Sequence, residues 1–333
     1  MKALIAGLLF VLMIAIPFGI YAFFFQNAPL LNPLGVEKKL EKYTFERLRE
    51  RLFFLQPITF GRKIKDGSGY SSYIFYFYDA EKRVSGLASI PSKEGEYPIV
   101  IQFRGYIDKE IYITGEGTRK SSENLAQNGF ISLSPDFLGY GESDSPSTNS
   151  IEERFEVYTT SLSLIASVGS LNQALQTVNE QAKVDPHKIG IWGHSNGGHI
   201  ALAVSSILGK PYPLVLWNPV TKPFPYSILY FTDEFDDHGK ALRKVVADFE
   251  KEYDAQSYSP QNYYKWITSP MQLHQAENDE AVPLRWSDQF RDEMSLLSKD
   301  IEYYTYPSED HNFSKGSWST VMEKSIQFFK ERL

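Results

Sequence analysis

The rhythm of apolar and polar positions changes three times along the chain. From Ala3 to Phe25 there is no charged residue, and Leu, Ile, Val, Phe and Ala dominate. As a helix this run would measure about 34 Å, enough for a bilayer core of about 30 Å. A cleavable signal has a shorter apolar region, about 7–15 residues, closed by a small-x-small site. This run instead ends in Phe23, Phe24 and Phe25, and Gln26-Asn27-Ala28 is followed by Pro29. Residues 1–26 are therefore expected to be an uncleaved single-pass membrane anchor. Lys2 favours a cytoplasmic N-terminus, whereas Lys38, Lys39 and Lys42 weaken the asymmetry. Large domains after a first helix are translocated largely regardless of such charges, so the following domain is expected on the extracytoplasmic side. Residues 27–56 read as a linker with two prolines and then an amphipathic helix. Val36, Leu40, Tyr43, Leu48, Leu52 and Leu55 fall near helical spacing, and Pro57 ends the pattern.

From Tyr70 the pattern becomes short apolar runs alternating with helical stretches. Strands are predicted over 72–78, 84–90, 98–103, 130–134, 188–192, 214–217, 271–274 and 301–306. Helices are predicted over 118–128, 155–183, 197–208, 285–297 and 319–332. This alternation predicts an α/β domain over 57–333, a mostly parallel twisted sheet with helices on both faces. Its ligand site should lie beyond the carboxyl ends of the strands. Residues 221–265, rich in Phe and Tyr, interrupt the alternation and are expected to cap that site.

Composition narrows the chemistry. A net charge of -7 leaves no basic face for nucleic acid. Cysteine is absent, which removes disulfides, thiolate metal sites and cysteine nucleophiles. No cluster of metal ligands appears, so no metal or organic cofactor is expected.

Gly193-His194-Ser195-Asn196-Gly197 fits G-x-S-x-G, with Gly198 following. The pentapeptide alone is a weak signal. Its placement strengthens it: Ile189-Gly190-Ile191-Trp192 reads as a strand and Ile200-Ala201-Leu202-Ala203 as a helix. A sharp strand-to-helix turn exposes a serine hydroxyl at a helix N-terminus, where developing negative charge is favoured. A phosphate loop would need a Lys followed by Ser or Thr, and none follows. A serine needs a base, and after such a turn the partners come in the order serine, acid, histidine. His311 lies in a loop between the last strand and the last helix. His274 sits within a strand as a structural histidine, His238 lies in the insertion, and His194 and His199 are tied to the turn. The acid is assigned to Asp279 after the 271–274 strand, with Glu277 and Glu280 as near rivals. Asn218, at the end of the preceding strand, lacks the carboxylate needed to stabilise an imidazolium. Oxyanion donors are expected from the backbone N–H of Asn196 and from Arg104-Gly105-Tyr106, at Tyr106 with Gly105 as alternative.

Together these segments resemble the α/β-hydrolase superfamily, and most closely the catalytic domain of the prolyl oligopeptidase family. The resemblance rests on Arg104-Gly105-Tyr106, on 135–143, on Val184-Asp185-Pro186 leading into the serine motif, and on Ser259-Pro260 and Ser269-Pro270. Asp279 with Val282-Pro283, and His311-Asn312-Phe313, complete it. It implies Ser195, Asp279 and His311 as nucleophile, acid and base. Two features depart from the family. Arg104 stands where relatives usually have histidine, and Phe103-Arg104-Gly105-Tyr106 looks rather like acetyl esterases of the same fold. The residues before Tyr70 are also too few for the β-propeller that gates true prolyl oligopeptidases. The expected activity is that of a serine peptidase, with a carboxylesterase as alternative and a non-catalytic anchored binding protein as a third reading. The substrate is thus a small peptide or an acyl ester. Asp233 and Glu234 in the insertion are candidates for binding a substrate amine, as acidic residues do in dipeptidyl peptidases.

Overall fold

Nine strands form one sheet in the order β1-β2-β3-β5-β4-β6-β7-β8-β9. They run over Thr59–Gly67 (β1), Tyr70–Asp79 (β2), Lys82–Pro91 (β3), Gly95–Phe103 (β4), Ile131–Pro135 (β5), Ala182–His194 (β6), Leu214–Trp217 (β7), Met271–Ala276 (β8) and Ile301–Tyr306 (β9). The computed structural model describes residues 38–333 apart from Glu234. The anchor expected over 1–26 lies outside the described residues. Among the described residues, no helix is long and apolar enough to cross a membrane.

From β5 and β4 onward the pairs are parallel, whereas β1, β2 and β3 join antiparallel. The parallel strands are short runs such as Leu214-Val215-Leu216-Trp217, buried on both faces. One face carries helices Arg119–Gln127 (α1) and Trp318–Arg332 (α6), which close a core around Trp192, Trp217, Phe130 and Phe329. Between them in sequence come Ser150–Ser167 (α2), Asn196–Leu208 (α3), Lys240–Glu250 (α4) and Leu284–Leu296 (α5). Phe155 of α2 anchors the 221–265 insertion: its ring stacks on Tyr258 at 4.7 Å and meets Phe224 at 5.3 Å and Phe249 at 6.0 Å.

Three expectations from the sequence change. The amphipathic helix shrinks to a six-residue helix, Phe45–Glu50, whose cap Thr44 accepts the Arg47 N–H. Leu52, Phe54 and Leu55 leave it and are exposed. The chain is held extended toward Pro57 by the Gln56 N–H on Ser167 Oγ and the Ile58 N–H on Ser170 Oγ. Strand β1 is absent from the sequence pattern, because its lysines and glycines carry no apolar alternation. They suit an edge, where charge blocks further pairing. The helix expected over 155–183 begins earlier, at Ser150 capped by Asn149, and breaks into a 3-10 turn at Val168–Ser170. After the short helix Leu171–Leu175 the chain becomes β6 from Ala182, pairing with Gly95 of β4.

Candidate active site

Ser195 sits between β6 and α3 with φ 57° and ψ -122°, a conformation an L-residue adopts at a cost of about 1–3 kcal/mol. Backbone bonds hold it there: Ser195 N–H donates to Trp217 O, and Val220 and Gly198 N–H donate to Ser195 O, each at 3.0 Å. The flanking glycines are steric requirements. A Cβ on Gly197 would stand 1.9 Å from Phe103 O, and one on Gly193 2.4 Å from Gly197 O.

The loop after β9 delivers His311, and the loop after β8 delivers Asp279. His311 Nδ1 lies 2.8 Å from Asp279 Oδ2, with the Asp279 side chain fully buried and His311 12% exposed. Asp279 Oδ1 accepts the N–H groups of Ala281 at 2.8 Å and Val282 at 2.7 Å. That fixes the second oxygen toward the imidazole. Its rival Glu280 accepts the His311 backbone N–H, at 3.4 Å, rather than meeting the ring. Among the described residues, Asp279 is the one side chain hydrogen-bonded to the His311 ring, and no hydrogen bond from Ser195 Oγ to His311 is closed. Contacts of this kind commonly tighten only with substrate.

Asn218 and His194, neither of which the sequence pattern places in the triad, hold His311. Its carbonyl accepts from Asn218 Nδ2 at 2.8 Å and from His194 Nε2 at 2.9 Å. Asn218 is buried at φ 42°, and its Oδ1 accepts Ala276 N–H at 2.7 Å, so it ties the ends of β7 and β8 to the histidine loop. Burial, and then the neighbouring His311, pull the His194 pKa down to about 4. His194 is therefore neutral at pH 7, with its proton on the nitrogen facing that carbonyl. Buried Glu309 braces the same loop by accepting Lys315 and Ser317 N–H. No sequence signal marks these pins. They pair groups 93 and 117 residues apart.

Gly105 packs against the nucleophile: a Cβ there would lie 3.1 Å from Ser195 Cβ. Its carbonyl is turned away by Arg104 Nη1 at 2.9 Å, while Nη2 reaches Asp136 O at 3.0 Å. The buried guanidinium lies over the rings of Tyr140 at 4.1 Å and Tyr112 at 4.6 Å. The presence of Arg rather than His at 104 thus has a structural use: it orients the loop carrying Gly105 and Tyr106. Asp136 beside it accepts Ser85, Tyr112 and Thr114 hydroxyls, and burial pushes its pKa up.

A cleft of about 380 Å³ opens beside the serine, with Tyr106, Phe137, Arg154, Tyr158, Asn196 and Phe224 in its wall. The insertion reaches it through Phe224, Ser227 and Ile228. Asp233 does not line this cleft; it is exposed and paired with Arg243 at 2.8 Å. Asp237 is engaged by the Gly239 and Ala241 N–H groups, and Glu234 lies outside the described residues. The acidic run of the insertion is thus largely structural where it is described. His274 is buried between Tyr306 Oη and Gln272 Oε1, each at 2.8 Å, as a structural histidine should be.

A serine on a strained strand-to-helix turn, followed by an acid and a histidine from later strand ends of a parallel sheet, defines an α/β-hydrolase, and the chain is a serine hydrolase. Residues 103–213 match the alpha/beta hydrolase fold family. Residues 166–333 match the prolyl oligopeptidase family, and the chain belongs to that family. It is similar to an acetylxylan esterase of Xylanibacter ruminicola, 25% identical over 166 residues, which are 48% of this chain and 34% of that relative. The chain therefore matches about a third of that relative's length. Among solved structures it resembles acetyl xylan esterase 1 from a Thermoanaerobacterium species, with TM-score 0.57 and 18% identity, covering 86% of this chain and 94% of that one. It also resembles the Pyrococcus horikoshii acylaminoacyl peptidase, with TM-score 0.56 and 18% identity, covering 80% of this chain and 42% of that one. At these identities the likeness of the solved structures speaks for the fold.

Proposed function

We propose that the protein hydrolyses carboxylic esters through an acyl-enzyme formed on Ser195. The observation that carries the reading is the 2.8 Å bond from His311 to the buried Asp279, at strand ends next to the strained serine. His311 Nε2 takes the Ser195 hydroxyl proton as Oγ bonds to the substrate carbonyl carbon. The carbonyl oxygen becomes an oxyanion, received by the Asn196 and Tyr106 N–H groups. His311 returns the proton to the leaving oxygen as the C–O bond breaks, and water repeats the sequence to free the acid. Asp279 stabilises the transient imidazolium.

Esters are favoured over amides by the Phe103-Arg104-Gly105-Tyr106 wording and by the similarity to the Xylanibacter ruminicola acetylxylan esterase. A peptidase is the second reading, supported by the family match. Purified enzyme assayed in parallel on aryl esters and short peptide anilides separates them: turnover of esters at more than about ten times the rate on amides supports the first, and the reverse supports the second. The apolar run 3–25 supports membrane attachment with the hydrolase domain outside the cytoplasm. Release from membranes by alkaline carbonate would rule that attachment out.

A further inference from the structure

Building on the acyl-enzyme reading, we propose that Arg154 makes this enzyme selective for acyl groups that carry a carboxylate. Arg154 projects from α2 into the cleft beside Asn196 and Tyr106. Arg154 is exposed at the cleft; the protein packed around its guanidinium lowers its pKa below the ordinary arginine value, and the neighbouring Glu153 charge acts against that shift.

The polar groups around it are already committed. Lys109 pairs with Glu153 at 2.7 Å, and Glu156 pairs with Lys82 at 2.5 Å. Arg104 is held by two carbonyls. Tyr106 donates to Asp108 at 2.7 Å and Tyr140 to Ile107 O at 3.1 Å. Tyr158 shares its hydroxyl with His199 Nε2 at 3.1 Å. Among the described residues of the lining, Arg154 is the one cation without an ion pair or carbonyl partner. The one carboxylate without a partner, Glu110, is exposed on the loop after Tyr106. A guanidinium in a cleft wall with free N–H groups recognises a carboxylate by a forked, charge-assisted pair.

The side of the scissile bond follows from the proton path. His311 must protonate the leaving group, and neither His311 nor Asn312 lines this cleft. The leaving group departs toward His311, and the acyl chain occupies the Arg154 side.

The test compares the monophenyl ester of adipic acid with phenyl hexanoate, which share a four-methylene chain and differ in the terminal carboxylate. The wild-type enzyme is expected to favour the adipate by about 10- to 100-fold in kcat/KM. In Arg154→Met that ratio should fall to about one, and in Arg154→Lys it should fall part of the way. Equal use of both esters by the wild type overturns the proposal whether or not the variants fold. So does an adipate preference that survives in an Arg154→Met protein still labelled by a fluorophosphonate. If the wild type neither labels nor cleaves either ester, the acyl-enzyme reading itself fails.

Discussion

Acid should unfold this protein well before its carboxylates are fully protonated, because His274 and His199, like His194, are held by burial as neutral rings. His274 is fully buried and His199 is 5% exposed. Burial lowers their pKa values from 6.5 to about 3 and about 4, Lys324 adding to the effect at His274. In the unfolded chain both titrate near 6.5, so below that pH the unfolded state binds more protons than the native one. Stability is then full above about pH 6.5 and declines as pH falls toward the folded values. Each tenfold loss of proton affinity corresponds to about 1.4 kcal/mol, so the full penalties are on the order of 5 kcal/mol for His274 and 3 kcal/mol for His199. A domain's whole stability is about 5–15 kcal/mol. Asp136, whose pKa is raised by burial, works in the opposite direction and flattens the net curve. The His274→Gln variant isolates one contribution. Urea unfolding followed by tryptophan fluorescence at pH 7, 6 and 5 should show wild-type stability falling with pH. In the variant the slope should be shallower by about 1.4 kcal/mol per pH unit. Parallel slopes would refute the assignment of His274 as a buried neutral base.

Asp279→Asn should lower kcat by about 10³- to 10⁴-fold while leaving the thermal midpoint within a few degrees, as stopped assays and calorimetry would show. Asn218→Ala should lower kcat about 10- to 100-fold with KM nearly unchanged, because His311 loses one of its two carbonyl anchors. A change in KM alone would contradict that positioning role. Gly197→Ala should destroy labelling of the serine, since the added Cβ collides with Phe103 O at 1.9 Å. A labelled, soluble Gly197→Ala protein would contradict the tight approach of the turn to β4.

The parallel half of the sheet is legible in the sequence where its strands are apolar runs too short for a helix, whereas the polar first half of β6, from Ala182 to Lys188, is not. The runs 214–217 and 301–306 coincide with β7 and β9 to the residue. The elbow is legible because glycine is required on both sides of Ser195 by backbone approach. Asp279 and His311 follow from their place at strand ends, and the structure puts them in contact. Strand β1 is invisible because an edge strand needs no buried face. The break near Val168 is hidden because Val168 and Leu171 continue the apolar spacing while the hydrogen bonds between them tighten to the 3-10 pattern. Asn218 shows in the sequence only that it is not a carboxylate; its value lies in two hydrogen bonds that no local pattern encodes. Asp233 stands out as part of a charge cluster, and its partner Arg243 is ten residues away on α4.

The central claim is that Ser195 is a nucleophile activated by His311 and Asp279. Intact-mass and peptide analysis after treatment with a fluorophosphonate tests it most directly. The account predicts one adduct on the wild-type chain, located at Ser195, absent in Ser195→Ala and greatly slowed in His311→Ala. An unmodified wild-type protein, or an adduct on another residue that persists in Ser195→Ala, would contradict it.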